Sequence, residues 1–234
     1  MTDFNFNTIA LIRSCYNEKF GIPRQSGLVE NADAVIEMQA PYNDEDFIRE
    51  LEGFSHIWLI FVFHQHIGKP VKATVRPPRL GGNQRVGVFA SRSPFRPNPI
   101  GISVVKLNKI SKNDNTIELH ISGADLLNGT PVIDIKPYVS YADSIAGASS
   151  SYASDKPEAK LEVSFSALAS QYINEVREQY PKLRDVIQQT LSLDPRPAYI
   201  KDREKHYGLS VFDFNVQWRV EDTVAEVIRI EKLT

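Results

Sequence analysis

The chain has 234 residues and a mass of 26.4 kDa; it is 42% hydrophobic and 24% charged, with a formal charge of −2. This is the make-up of an ordinary globular protein with enough apolar material for a core, and it excludes intrinsic disorder, collagen and coiled coils. No apolar run approaches the roughly 18–20 residues of a membrane helix, Ile57 to Phe63 being the longest. A single cysteine, Cys15, excludes an internal disulfide and fits a reducing compartment. The opening Met1-Thr2-Asp3-Phe4-Asn5 has neither the basic nor the apolar region of a secretory signal, so a cytoplasmic location is expected.

Extended segments dominate the first two thirds. Strands are predicted over Thr8 to Ile12 and Ala34 to Met38, followed by a helix over Asp44 to Leu51 with Asn43 as its N-cap. Ile57 to Phe63 reads as a strand buried on both faces. Val86 to Ala90 and Ile102 to Leu107 are further strands, and Thr116 to Ser122 alternates with Ile117, Leu119 and Ile121 on one face. Val132 to Ile135 follows a Gly129-Thr130-Pro131 turn. Short strands separated by Gly, Pro and Asn turns point to a barrel or a sandwich.

The composition shifts to Ser, Ala, Gly and Asp from Ala142 to Ala159, which reads as a linker. Beyond it Leu161, Val163 and Phe165 alternate as a strand. Leu168, Tyr172, Val176 and Tyr180 recur at helical spacing, and Pro181 opens a second helix carrying Leu183, Ile187 and Leu191. Phe212, Phe214, Val216 and Trp218 alternate as a strand whose hairpin partner is Val224 to Ile230. The expected organisation is a first domain over 1–141, a linker over 142–160 and a small α+β domain over 161–234.

The charge is segregated. No Asp or Glu lies between Glu52 and Asp114, while that interval holds ten basic residues, leaving 17 of the chain's 27 against all 29 acidic residues. Such a distribution attracts a polyanion locally. All five arginines of the interval fall between Arg76 and Arg96, in loops that prolines stiffen. Arg76-Pro77-Pro78-Arg79-Leu80-Gly81-Gly82-Asn83 cannot be a helix or a central strand, because adjacent prolines lack amide donors. Ser91-Arg92-Ser93-Pro94-Phe95-Arg96-Pro97-Asn98-Pro99-Ile100-Gly101 holds its polar side chains ready before a ligand arrives. Together with Arg85, these loops read as a preorganised anion site.

Other constrained turns are Ile22-Pro23-Arg24-Gln25-Ser26-Gly27, Gly123 to Pro131, and Asp194-Pro195-Arg196-Pro197-Ala198-Tyr199, where Arg196 suits a phosphate and Tyr199 a stacked base. His64 and His66 stand two apart at a strand end, and a metal pair there lacks a nearby carboxylate; no metal is expected. No G-x-G-x-x-G follows a strand, so nothing marks a Rossmann site.

The series Pro23-Arg24-Gln25, Phe54-Ser55-His56, Phe63-His64-Gln65, Arg76-Pro77-Pro78-Arg79, Ser91 to Gly101 and Asp125-Leu126-Leu127-Asn128-Gly129-Thr130-Pro131 resembles the TsaA-like, TrmO (YaeB) family. Asp194 to Tyr199 is similar to the signature of that family's C-terminal extension. The resemblance implies a mainly β fold, with a single N-terminal catalytic β-barrel and a small α+β C-terminal domain that contacts tRNA. It implies S-adenosylmethionine as cofactor and methyl transfer to N6 of N6-threonylcarbamoyladenosine, next to the anticodon of threonine-accepting tRNA. It also implies a homodimer in the cytoplasm, with no membrane or DNA partner.

By the same resemblance the cofactor contacts are Pro23, Arg24, Gln25, His64, Gln65, Arg92, Asp125, Leu126, Leu127, Asn128, Gly129 and Thr130. The tRNA contacts are Arg76, Arg79, Arg85, Arg96, Asp194, Arg196 and Tyr199. No general base is assigned. Transfer from a sulfonium is an in-line displacement, which requires the acceptor nitrogen about 3–3.5 Å from the methyl carbon. An environment favouring loss of the N6 proton helps, because the acylated nitrogen is a poor nucleophile. The alternatives are a non-catalytic RNA- or nucleotide-binding barrel using the same arginines, and a metal-dependent hydrolase built on His64 and His66.

Overall fold

The computed structural model describes residues 4–113, 116–196 and 206–233. The chain forms two compact units: residues 1–13, 34–122 and 129–154 make the first, and 14–33, 123–128 and 155–234 the second.

The first unit is built from β1 (Ala10–Ser14), β2 (Ala34–Met38), β3 (His56–Val62), the short pair β4 (Thr74–Val75) and β5 (Val86–Gly87), then β6 (Ile100–Asn113), β7 (Thr116–Ser122), β8 (Pro131–Pro137) and the one-turn helix α1 (Ser140–Asp143). Six of these strands close into a barrel in the order β1-β2-β7-β6-β3-β8. The barrel side of β7 is Ile117, Leu119 and Ile121, all buried as the alternation predicts, and β2 contributes Ala34, Ile36 and Met38. Register shifts in β6 at Leu107/Lys109 and in β3 at Ile60/Phe61 bend these strands, which helps a small sheet close on itself. Among the described residues, closure leaves the barrel without a long unpaired edge.

Several elements differ from the sequence expectation. The helix expected over 44–51 is two 3-10 turns, Glu45–Ile48 and Leu51–Gly53. Asp44 caps the first, accepting from the Asp46 amide, and Glu50 takes a left-handed φ of 65° that stops a continuous helix. β3 is not buried on both faces: Ile57, Leu59 and Phe61 point inward, while Trp58, Ile60 and Val62 are half-buried. Trp58 lies against Tyr138 at 6.0 Å and donates to Asp143 Oδ2 at 3.0 Å. The expected strand over Val86 to Ala90 ends at Gly87 and continues as a 3-10 turn, Val88–Ala90.

The second unit contains β9 (Glu162–Phe165), α2 (Ala167–Glu175), α3 (Leu183–Ser192), β10 (Tyr207–Val211), β11 (Phe214–Glu221) and β12 (Val224–Lys232). Its sheet has the order β10-β11-β12-β9; β11 and β12 are the expected hairpin, and β9 joins β12 in parallel. Ser166 caps α2 by accepting from the Ala169 amide. The buried positions of α2 are Ala169 and Ile173, so the apolar stripe is turned from the predicted one and Leu168 is 69% exposed. In α3, Leu183, Ile187 and Leu191 are buried as expected, and Val186 joins them.

Phe212 is a turn residue at φ 51°, not part of β11. Tyr180 stacks edge-on with both Phe212 and Phe214 and donates its hydroxyl to Asp213, which places an aromatic residue in a tight turn. The core of this unit includes Cys15, Tyr16, Val29 and Ala32 with Trp218 and Phe214. The early segment is tied in by a bridge from Tyr16 to Val211, and by the Phe212 amide donating to the Cys15 carbonyl at 2.7 Å. Among the described residues no helix is long and apolar enough to cross a membrane.

Candidate functional site

The first unit carries the basic loops. Strands β4 and β5 pair through Thr74↔Gly87 and Val75↔Val86, so Arg76 and Arg85 are the next residues of the two strands, facing the same turn. The intervening stretch holds a 3-10 turn, Pro78–Leu80, that presents Arg79 to solvent and ends on Gly81 at φ 67°. Arg85 Nη1 donates to Thr74 Oγ1 at 3.4 Å. A cavity of about 620 Å³ is lined by Lys72, Thr74, Arg76, Arg85, Ser93 and Phe95, together with Ala73 and Val75.

Two of the five loop arginines, Arg76 and Arg85, therefore share one cavity. Arg96 is half-buried, and its Nη1 donates to the carbonyls of Ser91 and Ser93 at 3.1 and 3.4 Å, bracing the loop from within. Arg92 is exposed on the same loop. Lys72, Ser93 and Phe95 were not singled out from the sequence as site residues. The signal was present in the alternation Lys72, Thr74, Arg76 that leads into the Pro77-Pro78 turn.

His64, Gln65 and His66 form a 3-10 turn, not the end of a strand. The turn sits on an aromatic series: Phe61 to Phe63 at 5.1 Å, Phe63 to His66 at 6.4 Å and His66 to Phe95 at 4.8 Å, all edge-on. The end of the Ser91 to Gly101 motif belongs to this packing, because the Phe63 amide donates to the Pro99 carbonyl at 2.7 Å. A methyl group at Gly101 would lie 2.3 Å from Phe61 Cζ. Among the described residues no group of three or more His, Cys, Asp or Glu is placed to hold a metal ion.

The second unit brings two of the sequence-predicted loops together. The Gly27 amide donates to the Gly123 carbonyl at 2.9 Å, joining the Pro23-Arg24-Gln25 loop to the Gly123–Asn128 loop. Both glycines have φ near +73°, a conformation side chains rarely adopt, and a Cβ on Gly123 would make a tight 3.2 Å approach to Gly27 Cα. Pro23 is buried, Gln25 is half-buried and Arg24 is exposed. Ser14 Oγ donates to the Leu126 carbonyl at 2.7 Å, and its amide donates to Asn128 Oδ1 at 3.3 Å. Asn128 Nδ2 donates to Asn17 Oδ1, and the Asn128 amide to the Tyr16 carbonyl. Gly129 and Thr130 lie in the first unit, hydrogen-bonded on both sides of Ile12.

These hydrogen bonds engage the Asn128 amide and carboxamide within the chain and fix the shape of the loop pair, to which Gln25 and Asp125 add a carboxamide and a carboxylate. That donor set fits the adenosine part of S-adenosylmethionine, which has ring nitrogens and ribose hydroxyls but no phosphate.

In the C-terminal extension, Arg196 donates from Nε to Asp194 Oδ1 at 2.7 Å and from Nη2 to Asp194 Oδ2 at 3.0 Å. The Asp194 carboxylate holds the guanidinium charged and pushes its pKa above the ordinary value, against the opposing effect of burial. Tyr199 lies outside the described residues.

Comparison with known proteins accounts for both units. The tRNA-methyltransferase O N-terminal domain family matches residues 11–144, and the TrmO C-terminal domain family matches residues 158–233. A protein of Escherichia coli K12 named tRNA (adenine(37)-N6)-methyltransferase is 48% identical over 233 residues, covering 99% of each chain. A Pseudomonas aeruginosa protein whose name describes an S-adenosylmethionine-dependent methyltransferase is 43% identical over 90% of each chain. The crystal structure of TrmO from Pseudomonas aeruginosa superposes with a TM-score of 0.82 at 34% identity, covering 98% of this chain and 99% of that one. Barrel, loops and C-terminal unit thus find their counterparts in a single family, and the chain belongs to the tRNA-methyltransferase O family.

Proposed function

We propose that this chain methylates N6 of the adenosine at position 37 of tRNA, using S-adenosylmethionine, and that the adenosine it accepts carries an N6-threonylcarbamoyl group. The observation that carries the reading is the match to both domains of one methyltransferase family, with 48% identity along 99% of a named tRNA (adenine(37)-N6)-methyltransferase. The acid-free basic loops of the first unit and their arginine-lined cavity support an anionic polymer as substrate.

When bound, S-adenosylmethionine supplies an electrophilic methyl group. The chain's own residues bind, orient and bias a proton equilibrium. Pro23, Arg24, Gln25 and Asp125 to Asn128 contribute to holding the donor. Arg76, Arg79, Arg85 and Arg96 hold the tRNA, joined by Asp194, Arg196 and Tyr199 of the extension. Positive charge beside the acceptor favours the deprotonated nitrogen, which lowers the barrier to its attack. The functional molecule is a homodimer in the cytoplasm.

Nucleoside mass spectrometry of tRNA from a strain lacking the gene tests the substrate. Loss of the methylated threonylcarbamoyl nucleoside, with the unmethylated one retained, supports the reading; an unchanged nucleoside profile refutes it.

A further inference from the structure

We propose that the cavity beside β4 and β5 is an oxyanion subsite for the methyl acceptor, taking either the carboxylate of the modified adenosine or a backbone phosphate next to it. The inference rests on the reading of this chain as a tRNA methyltransferase and names the chemistry that one cavity recognises.

Three cationic side chains line the cavity, Lys72, Arg76 and Arg85, and no acidic residue does. Arg76 and Arg85 continue a two-stranded ladder from opposite sides, and like charges in that position repel. No carboxylate among the described residues pairs with any of the three, although the chain holds 29 acidic residues. Two arginines thus flank one turn with no carboxylate among the described residues paired to them, a local excess of positive charge that attracts an anion.

Two of the three cations make contacts that hold them. The Lys72 ammonium lies 4.0 Å over the Phe95 ring, and the Lys72 amide donates to the Phe95 carbonyl at 3.0 Å. His66 meets the Phe95 ring edge-on at 4.8 Å, while Arg85 rests on the Thr74 hydroxyl. Pro94 and Pro97 stiffen the loop that supplies Ser93 and Phe95. The cavity is open to solvent, with Lys72, Thr74, Arg76 and Arg85 exposed, so an anionic group of an RNA can reach it. A carboxylate and a phosphate present the same delocalised oxygens to a guanidinium fork, so binding partners of both kinds must be compared.

The test measures binding of two anticodon stem-loop RNAs, with and without threonylcarbamoyl on adenosine 37, to the full chain and to the double variant Arg76→Gln, Arg85→Gln. Lys106→Gln, exposed on β6, controls for general charge. A roughly tenfold or greater loss on the modified RNA alone, the size expected for a lost charge-assisted hydrogen bond, supports the carboxylate. An equal loss on both RNAs supports the phosphate, provided the slope of log affinity against log salt falls by about 0.7 per contact removed. Affinities for both RNAs equal to those of the parent or of Lys106→Gln overturn the proposal. Should the double variant lose its circular dichroism signal, Lys72→Met, which leaves both strands intact, is read by the same criteria. Failure of the parent chain to methylate either RNA would count against the functional reading, while the binding comparison would still decide the cavity.

Discussion

Gly101 on β6 stands directly opposite Phe61 on β3, and a Cβ at position 101 would lie 2.3 Å from the Phe61 ring. The ring is 4% exposed and has little room to retreat. Gly101→Ala should therefore destabilise the chain by about 1–3 kcal/mol, as overpacking does elsewhere. Chemical denaturation would measure the loss, and Phe61→Leu in the same chain should recover part of it. An unchanged midpoint would mean that the close approach is not a packing constraint.

Ser14 fixes the turn at Leu126 to Asn128 through its hydroxyl and its amide. Ser14→Ala leaves the Leu126 carbonyl without that donor and should reduce stability by about 1 kcal/mol. Calorimetry should show S-adenosylmethionine affinity reduced several-fold, since the turn loses its fixed shape. Unaltered affinity would remove the turn from the cofactor contacts.

Arg196 has both arms of its fork on Asp194, and only 15% of its side chain is exposed. Arg196→Ala should lower stability by about 1.5–3 kcal/mol, the range for a hydrogen bond to a charged group. Arg196→Lys should be nearly as destabilised, because an ammonium cannot reproduce the bidentate geometry. Full stability retained in both variants would contradict a role for the bidentate pair in holding the turn.

Burial pushes the Cys15 thiol from its ordinary 9.0 up to about 12, and burial raises Tyr16 beside it as well. The folded state then keeps a proton that the unfolded chain releases above pH 9. The neutral thiol's contribution is fully present below pH 9 and is lost as pH rises toward 12, at up to about 1.4 kcal/mol per pH unit. Unfolding free energies from pH 8 to 11 should fall less steeply in Cys15→Ala than in the parent. At pH 8 a thiol reagent should label the unfolded chain and spare the folded one; rapid labelling of the folded chain would contradict the assignment.

Period-two and helical patterns were legible where one face is buried and the other wet. The bounds of β2 and β7 coincide with those read from alternation, and the buried face of α3 follows its spacing. The pattern fails where tertiary contacts decide. Asp44 and the left-handed Glu50 break the expected helix, and Tyr180 draws Phe212 into a turn. β10 was not anticipated, since its outward residues include Gly208 and Ser210, which carry little strand signal.

The pairing of Cys15 and Tyr16 with residues near 211 spans almost the whole chain, and no local window holds that information. The candidate site was legible as loop chemistry: proline-stiffened arginines in an acid-free interval. Which arginines share a cavity was not, because it depends on the register of β4 and β5 and on Arg96 turning back to its own carbonyls.

The central claim is tested most directly with the purified chain, S-adenosylmethionine carrying an isotopically labelled methyl group, and tRNA bearing threonylcarbamoyladenosine at position 37. Digestion and mass spectrometry should find the label on N6 of that nucleoside and on no other base. Label on a different nucleoside, or none on any, would contradict the account.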